Sequence, residues 1–236
     1  MRITTLIDNR PSPDDPQLVA EWGLSLCVEL NGRHILVDMG ASDAFARNAE
    51  HLSIDLAAID VAILSHHHHD HGGGLRRFLE LNDHADVYLG VAPDGDPTVK
   101  LLGCVRKYIG LDHALAARHA HRFRSVRERT EVLPGVFVLP RIVGHHARPA
   151  GNKFLYLKRD SVLVPDDFRH EIVVLPPFRG MSESESVVAD IGRAVLDLRV
   201  ETTYTGHCTG EKAFDVLRGA MGERVQAIHT GCRIDL

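Results

Sequence analysis

The chain has 236 residues, 44% hydrophobic and 25% charged, an ordinary globular balance that one domain with a continuous core accommodates. A formal charge of -5 supplies no overall attraction to nucleic acid or anionic membrane, and composition alone names no partner. No run approaches the roughly 20 apolar residues of a membrane span, and residues 1–10 lack the apolar core of a signal peptide, so the cytoplasm is the expected location.

Residues 1–10 read as a short strand. Residues 24–30 and 34–39 are strand-like runs joined through Asn31-Gly32, the dipeptide that most readily takes the positive φ angles of a tight hairpin. Ser42 is placed to cap a helix carrying Phe45, Ala49 and Leu52 on one face, and residues 61–64 then read as a short buried strand. A histidine run begins where that strand ends, followed by Gly72-Gly73-Gly74 and a helix with Leu75, Phe78 and Leu79 on one side. Residues 87–89, 136–139, 154–157 and 172–175 are further strands. Between about 93 and 135, helix-compatible segments mix with Pro93, Gly95, Pro97 and Gly110, so this stretch is expected to be partly helical. Ser182 and Glu185 form a capping-box pattern ahead of a helix marked by Val187, Val188, Ile191, Ala194, Val195 and Leu198. A strand at 202–205, a glycine turn at 206–210, a helix through Ala213, Phe214, Leu217 and Met221, and a strand at 225–229 complete the chain. Cysteines at 27, 104, 208 and 232 form no Cys-x-x-Cys pair, so free thiols are expected.

Sixteen histidines are present, and they cluster. Ser65-His66-His67-His68-His69-Asp70-His71 contains His-x-His-x-Asp-His. His66 and His68, two apart, point to the same side of an extended loop, while Asp70 and His71 reach a neighbouring position as the chain turns at the glycines. Imidazole nitrogens with one carboxylate oxygen suit zinc, one or two ions; iron and manganese accept the same ligands.

This signature resembles that of the metallo-β-lactamase superfamily. Ile7-Asp8-Asn9, Glu21-Trp22-Gly23-Leu24-Ser25, Ile35 to Gly40, Asp166 to Glu171 and Gly206-His207-Cys208-Thr209-Gly210 extend the resemblance in order along most of the chain. The last of these is similar to the branch related to β-ribofuranosylaminobenzene 5'-phosphate and dihydropterin synthases. The resemblance implies an α/β fold, a four-layer αββα sandwich of two mixed sheets, over 1–236 as a single domain. It implies that His66 and His68 bind a first metal and that Asp70, His71 and His207 bind a second. Asp38 is either an orienting carboxylate behind a ligand histidine or a plain turn residue, and Cys208 either a soft ligand or a packed thiol, the latter being favoured.

One piece of the family pattern is missing. Relatives of this branch place another ligand histidine in a Gly-Cys-Ser-His-like turn within a strand-turn-helix module of the C-terminal half; here His170-Glu171 runs through residues 172–175 into Pro176-Pro177-Phe178-Arg179-Gly180. His145, His146 and His170 are candidate substitutes. With the first metal one ligand short, a single tightly held ion is expected. The leading expectation is a hydrolase using metal-bound hydroxide on a small molecule, with Asp70 as ligand and orienting carboxylate. The rivals are a transferase acting on a pterin or ribosyl-phosphate compound and a metal-binding protein with catalysis weakened or lost. Arg118, Arg122, Arg124, Arg127 and Arg129 either attract a phosphorylated substrate or form a solvated face, the reading favoured.

Overall fold

The computed structural model describes residues 1–101, 105–140, 150–173 and 184–236. Strands β1 (Arg2–Ile7), β2 (Ser25–Leu30) and β3 (Arg33–Val37) are antiparallel neighbours. Asn31 and Gly32, at φ 52° and 74°, form the two-residue turn between β2 and β3 that the dipeptide predicts. Helix α1 (Ala44–His51) carries the chain over to β4 (Val61–Leu64); a four-residue helical turn α2 (His69–Gly72) and helix α3 (Leu75–Leu81) then lead to β5 (Asp86–Leu89). β3, β4 and β5 are parallel, as helical crossovers require.

Next come β6 (Asp96–Leu101), β7 (Val105–Tyr108), helix α4 (His113–Arg118), β8 (Phe123–Ser125), β9 (Thr130–Leu133) and β10 (Val136–Pro140). β11 (Leu155–Arg159), β12 (Val162–Pro165), β13 (Ile172–Val173), α5 (Glu185–Asp197), β14 (Thr203–Thr205), α6 (Glu211–Met221), β15 (Val225–Ala227) and β16 (Arg233–Asp235) follow. One mixed sheet of seven strands has the order β16-β1-β2-β3-β4-β5-β8. The remaining strands of the described residues form β12-β11-β6-β7, β13-β10-β9 and the parallel pair β14-β15, and the second of these packs on the seven-stranded sheet.

Alternation explains why β3 and β4 lie at the centre. Leu36, Ala62 and Leu64 point into a core shared with Phe45 of α1 and Phe78 of α3, whereas Ile35, Val37, Val61 and Ile63 point the other way, against Val126, Val132, Val138 and Ile172. Strands buried on both faces read as continuous apolar runs, as residues 61–64 do. Helices α5 and α6 meet around Val188, Ala213, Leu217 and Met221, with Val225 of β15 beneath.

The middle of the chain is partly helical, as expected: between 93 and 135 the described residues form helix α4 and the 3-10 turn Ala120–Arg122, alongside strands β6 to β9. Pro97 lies within β6, where its carbonyl accepts from Ile109 N (2.9 Å) while β6 pairs with β11, about 60 residues later. A partner so distant leaves no local signal. Helix α5 is capped by Ser184, whose hydroxyl accepts from Val187 N, while the predicted cap Ser182 lies outside the described residues. Ser42 does accept from Ala44 N (3.1 Å), and Glu21 completes this helix start by accepting from Ala41 N, Ser42 N and the Ser42 hydroxyl.

Candidate metal centre

The histidine run begins one residue after β4, so a strand buried on both faces delivers it to the sheet's edge. The loop is tied down by backbone: His69 N donates to Ile109 O (2.7 Å) and Met39 N to His71 O (2.7 Å). His66, His68 and His71 are buried, with ring centroids 4.6 Å apart for His66 and His68 and 4.1 Å for His66 and His71. His207, nearly 140 residues later in the chain, comes within 5.0 Å of the His71 ring, and its Nε2 lies 3.4 Å from Asp70 Oδ2. All five residues singled out by sequence therefore converge.

At the His71–His207 end, each ring is held from behind. Asp38, in the left-handed region at φ 57°, lies 2.6 Å from His71 Nδ1 and also accepts from Ser65 N and the Ser65 hydroxyl (2.8 Å each). His207 Nδ1 faces Asn9 Oδ1 at 2.8 Å, and His207 N donates to the buried Asp8 Oδ2 at 2.7 Å. Gly206 permits this approach: a Cβ there would collide with Asp8 Oδ2 and Ile228. Because the Nδ1 atoms are engaged, Nε2 of both rings is left to face the site.

Electrostatics follow this packing. Burial works against charge on His71, yet Asp38 raises its pKa well above the ordinary histidine value. His207 is likewise opposed by burial but raised to about 9, chiefly by Asp70, which is itself held well below the carboxylate range against its own burial. Cys208 is lowered to about 6 because His207 and His71 outweigh the burial that disfavours a thiolate. Its sulfur lies within 4.8 Å of the ligand atoms of His71 and His207.

At the other end, Asp166 follows β12, and both Asp166 and His170 are 1% exposed. Asp166 Oδ1 accepts from Phe168 N (2.8 Å), while Oδ2 lies 3.2 Å from His170 Nε2 and 3.6 Å from His68 Nε2. Ile172 N donates to Ser65 O (2.8 Å), tying this loop to the histidine run. Gly90 lies directly beneath, where a Cβ would strike the His170 carbonyl. His67 is not in the ligand pattern: its Nε2 lies 3.0 Å from Gly90 O, and burial lowers its pKa to about 4.

Three groups of donor atoms therefore lie within 4.8 Å of one another: His66, His68 and Asp70; His71, His207 and Cys208; His68, Asp166 and His170. This grouping differs from the pairing implied by resemblance, since Asp70 stands between two groups. The donor chemistry fits a zinc-like ion, whose tetrahedral ligands at about 2.0–2.1 Å are about 3.3 Å apart. The His207–Asp70 separation of 3.4 Å matches that edge.

The sequence model of the metallo-β-lactamase superfamily matches residues 23–207. The chain belongs to this superfamily. It is 24% identical, over 98% of its length and 95% of the relative's, to 7,8-dihydropterin-6-methyl-4-(β-D-ribofuranosyl)-aminobenzene-5'-phosphate synthase of Methanocaldococcus jannaschii. Among solved structures, Tm1679, described as a metal-dependent hydrolase of the β-lactamase superfamily, aligns with a TM-score of 0.77 at 22% identity, covering 100% of this chain and 99% of the other. The metallo-β-lactamase fold protein YhfI from Bacillus subtilis aligns with a TM-score of 0.54 at 11% identity, covering 99% of both. The fold expected from the histidine signature is the fold observed. No helix among the described residues is long and apolar enough to cross a membrane.

The arginine run resolves into separate tasks. Arg122 is buried, its Nε donating to Ala85 O (2.8 Å) and its Nη1 to Asn82 O (3.0 Å). Arg124 pairs with Asp86 at 2.9 Å, and the Arg129 guanidinium lies 3.7 Å from the centroid of the Phe137 ring. His145 and His146 lie outside the described residues. Sequence reasoning did not assign Trp22, whose Nε1 donates to Asp70 Oδ2 (3.1 Å) and whose ring meets His207 edge-on at 5.0 Å. It also gave no role to Asn9 or Asp166, which were visible only as members of short family-like segments.

Proposed function

We propose that this protein is a metal-dependent hydrolase acting on a small molecule. The observation that carries the reading is the convergence of His66, His68, Asp70, His71 and His207, with Cys208, at the open end of a fixed sheet. A bound zinc, iron or manganese ion would supply Lewis acidity and lower the pKa of water toward 7. His71 and His207 would hold one ion through Nε2, with Asp38 and Asn9 fixing the two rings. The Asp70 carboxylate lies between Trp22 Nε1 and His207 Nε2, where it can hold an ion and orient an incoming water through its remaining lone pairs. The His66, His71, His207 and Cys208 side chains border a cleft of about 300 Å³ whose other walls include Leu24, Leu26, Val28, Ile172 and Val195. An apolar wall beside a polar end suits a substrate with a flat or aliphatic body and a hydrolysable polar group.

Turnover of phosphoester, ester and lactam substrates by zinc- or manganese-loaded protein, with Asp70→Ala as control, tests this reading. It fails if loaded protein matches the control on every class. A second reading, a synthase-type transfer on a pterin or ribosyl-phosphate compound, draws support from the full-length similarity to the Methanocaldococcus enzyme. Product analysis with a phosphoribosyl acceptor separates the two, since only transfer joins the fragments.

A further inference from the structure

The superfamily-like pattern supplies two ligand histidines, His66 and His68, for the first ion, and the structure brings a buried carboxylate close to His68. We infer that Asp166 is the missing protein ligand beside His66 and His68, and that His170 is its positioning residue rather than a ligand. The inference rests on the metal-dependent reading above.

Tautomer logic separates the two roles. His67 N donates to His170 Nδ1 at 3.3 Å, so in a neutral His170 ring Nδ1 is the acceptor and the proton sits on Nε2. That Nε2–H points at Asp166 Oδ2, 3.2 Å away, and has no lone pair to offer an ion. Asp166 does have capacity to spare. Its Oδ1 closes a local turn by accepting from Phe168 N, a task that requires one oxygen, while Oδ2 is aimed at His68 Nε2 across 3.6 Å. That separation is close to the tetrahedral edge of about 3.3 Å that ligands of one zinc ion span.

Burial of the Asp166 carboxylate is met in part by its pairing with His170. A carboxylate taken out of water is disfavoured by several kcal/mol unless paired or coordinated, and a turn of this kind forms as readily at the surface. Around Asp166 the chain is also fixed at several points. Asp166 N donates to Leu155 O (3.1 Å), Glu171 N to Phe168 O (3.1 Å) and Ile172 N to Ser65 O (2.8 Å). The carboxylate is therefore positioned relative to the histidine run by backbone rather than by a mobile side chain. In place of an imidazole carried on a separate turn, the chain uses a carboxylate from the loop between β12 and β13, oriented by a histidine four residues later.

The test is equilibrium loading of the full chain with zinc under a competing chelator, with metal content measured directly and cobalt substitution read by absorption. Wild type should bind two ions per chain. Asp166→Asn, which keeps the size of the side chain, should bind one, and that retained step certifies the fold. His170→Ala should weaken the same step about 10- to 100-fold, as loss of an orienting partner does. His170→Gln, which restores an N–H donor but is a poor metal ligand, should recover most of it. Two ions retained in Asp166→Asn would overturn the assignment, as would a single ion in wild type that is indifferent to Asp166. Loss in His170→Gln as complete as in Asp166→Asn would make His170 a ligand and overturn the tautomer argument. Two bound ions without turnover would count against the hydrolase reading while leaving this ligand assignment intact.

Discussion

The two ends of the site are built from chain segments with different histories in sequence. At the His71–His207 end, the buttresses Asp38, Asp8 and Asn9 lie at or just beyond strand ends of the seven-stranded sheet, and each engages its histidine through a bond of 2.6 to 2.8 Å. At the Asp166 end, support comes from a loop between short strands, and the contacts to the rings are longer, at 3.2 to 3.6 Å. A continuous sheet fixes a ligand's second partner before any ion arrives, whereas a loop leaves part of the alignment to the ion. The first end should therefore be the tighter and the less forgiving of substitution.

The largest effect expected is at His71. His71→Ala should abolish binding at the tighter end, while His69→Ala, an exposed position within the same run, should leave loading unchanged. Metal analysis of the two purified variants decides this, and equal loss in both would mean that the run binds as an undifferentiated tract.

The weaker end should instead fail first in acid. His67, whose amide supports His170, has a folded pKa of about 4 against an ordinary 6.5. Between those values the unfolded chain binds more protons than the folded one, so stability falls as pH drops from 6.5 toward 4, by up to roughly 3 kcal/mol. Denaturant unfolding of metal-free protein at pH 7 and 4.5 should show this loss, and His67→Gln should flatten it. An unchanged slope in that variant would place the acid sensitivity elsewhere.

Asp38→Asn tests the buttress itself. It preserves shape and tolerates the left-handed backbone, but removes the charge behind His71, so metal affinity should drop about 10- to 100-fold. Asn9→Ala removes a neutral acceptor from His207 Nδ1, together with the donor to His207 O and the acceptor for Gly23 N, and should cost about 10-fold, the low end of that range. If the order is reversed, the contrast between charged and neutral buttresses is wrong. Affinity at this end should also rise between pH 6 and 9, because His207, with a pKa of about 9, must release its proton before Nε2 can bind. A chelator competition series over that range measures it.

What was legible in the sequence divides along the same line. The hairpin at Asn31-Gly32, the buried strand at 61–64 and the helices after 44 and 185 depend on neighbours within a few residues, so periodicity and turn chemistry expose them. The five site residues were legible because four lie in one heptapeptide and the fifth in a glycine turn that matched a family pattern. Strand β6 was not, because its partner β11 is distant and Pro97 argues locally against a strand. Asp166 was visible only within a short family-like segment, and its turn to Phe168 N is local. Its second carboxylate oxygen acquires meaning only from His68, about a hundred residues earlier. Arg122 misled in the opposite direction, since a clamp on the carbonyls of Asn82 and Ala85 looks, in sequence, like one more member of a basic run.

Trp22 gives the molecule an optical property that follows from its position. It is the only tryptophan in the chain and is 53% exposed, with its indole N–H on Asp70 and its ring against His207. An indole whose hydrogen-bond acceptor becomes coordinated, and whose quenching imidazolium neighbour loses its proton, changes emission intensity and wavelength together. Intrinsic fluorescence excited at the indole band should thus record occupancy at the Asp70–His207 end. It should remain nearly silent to filling near Asp166, so one cuvette titration reports the order in which the two ends fill without label or substrate.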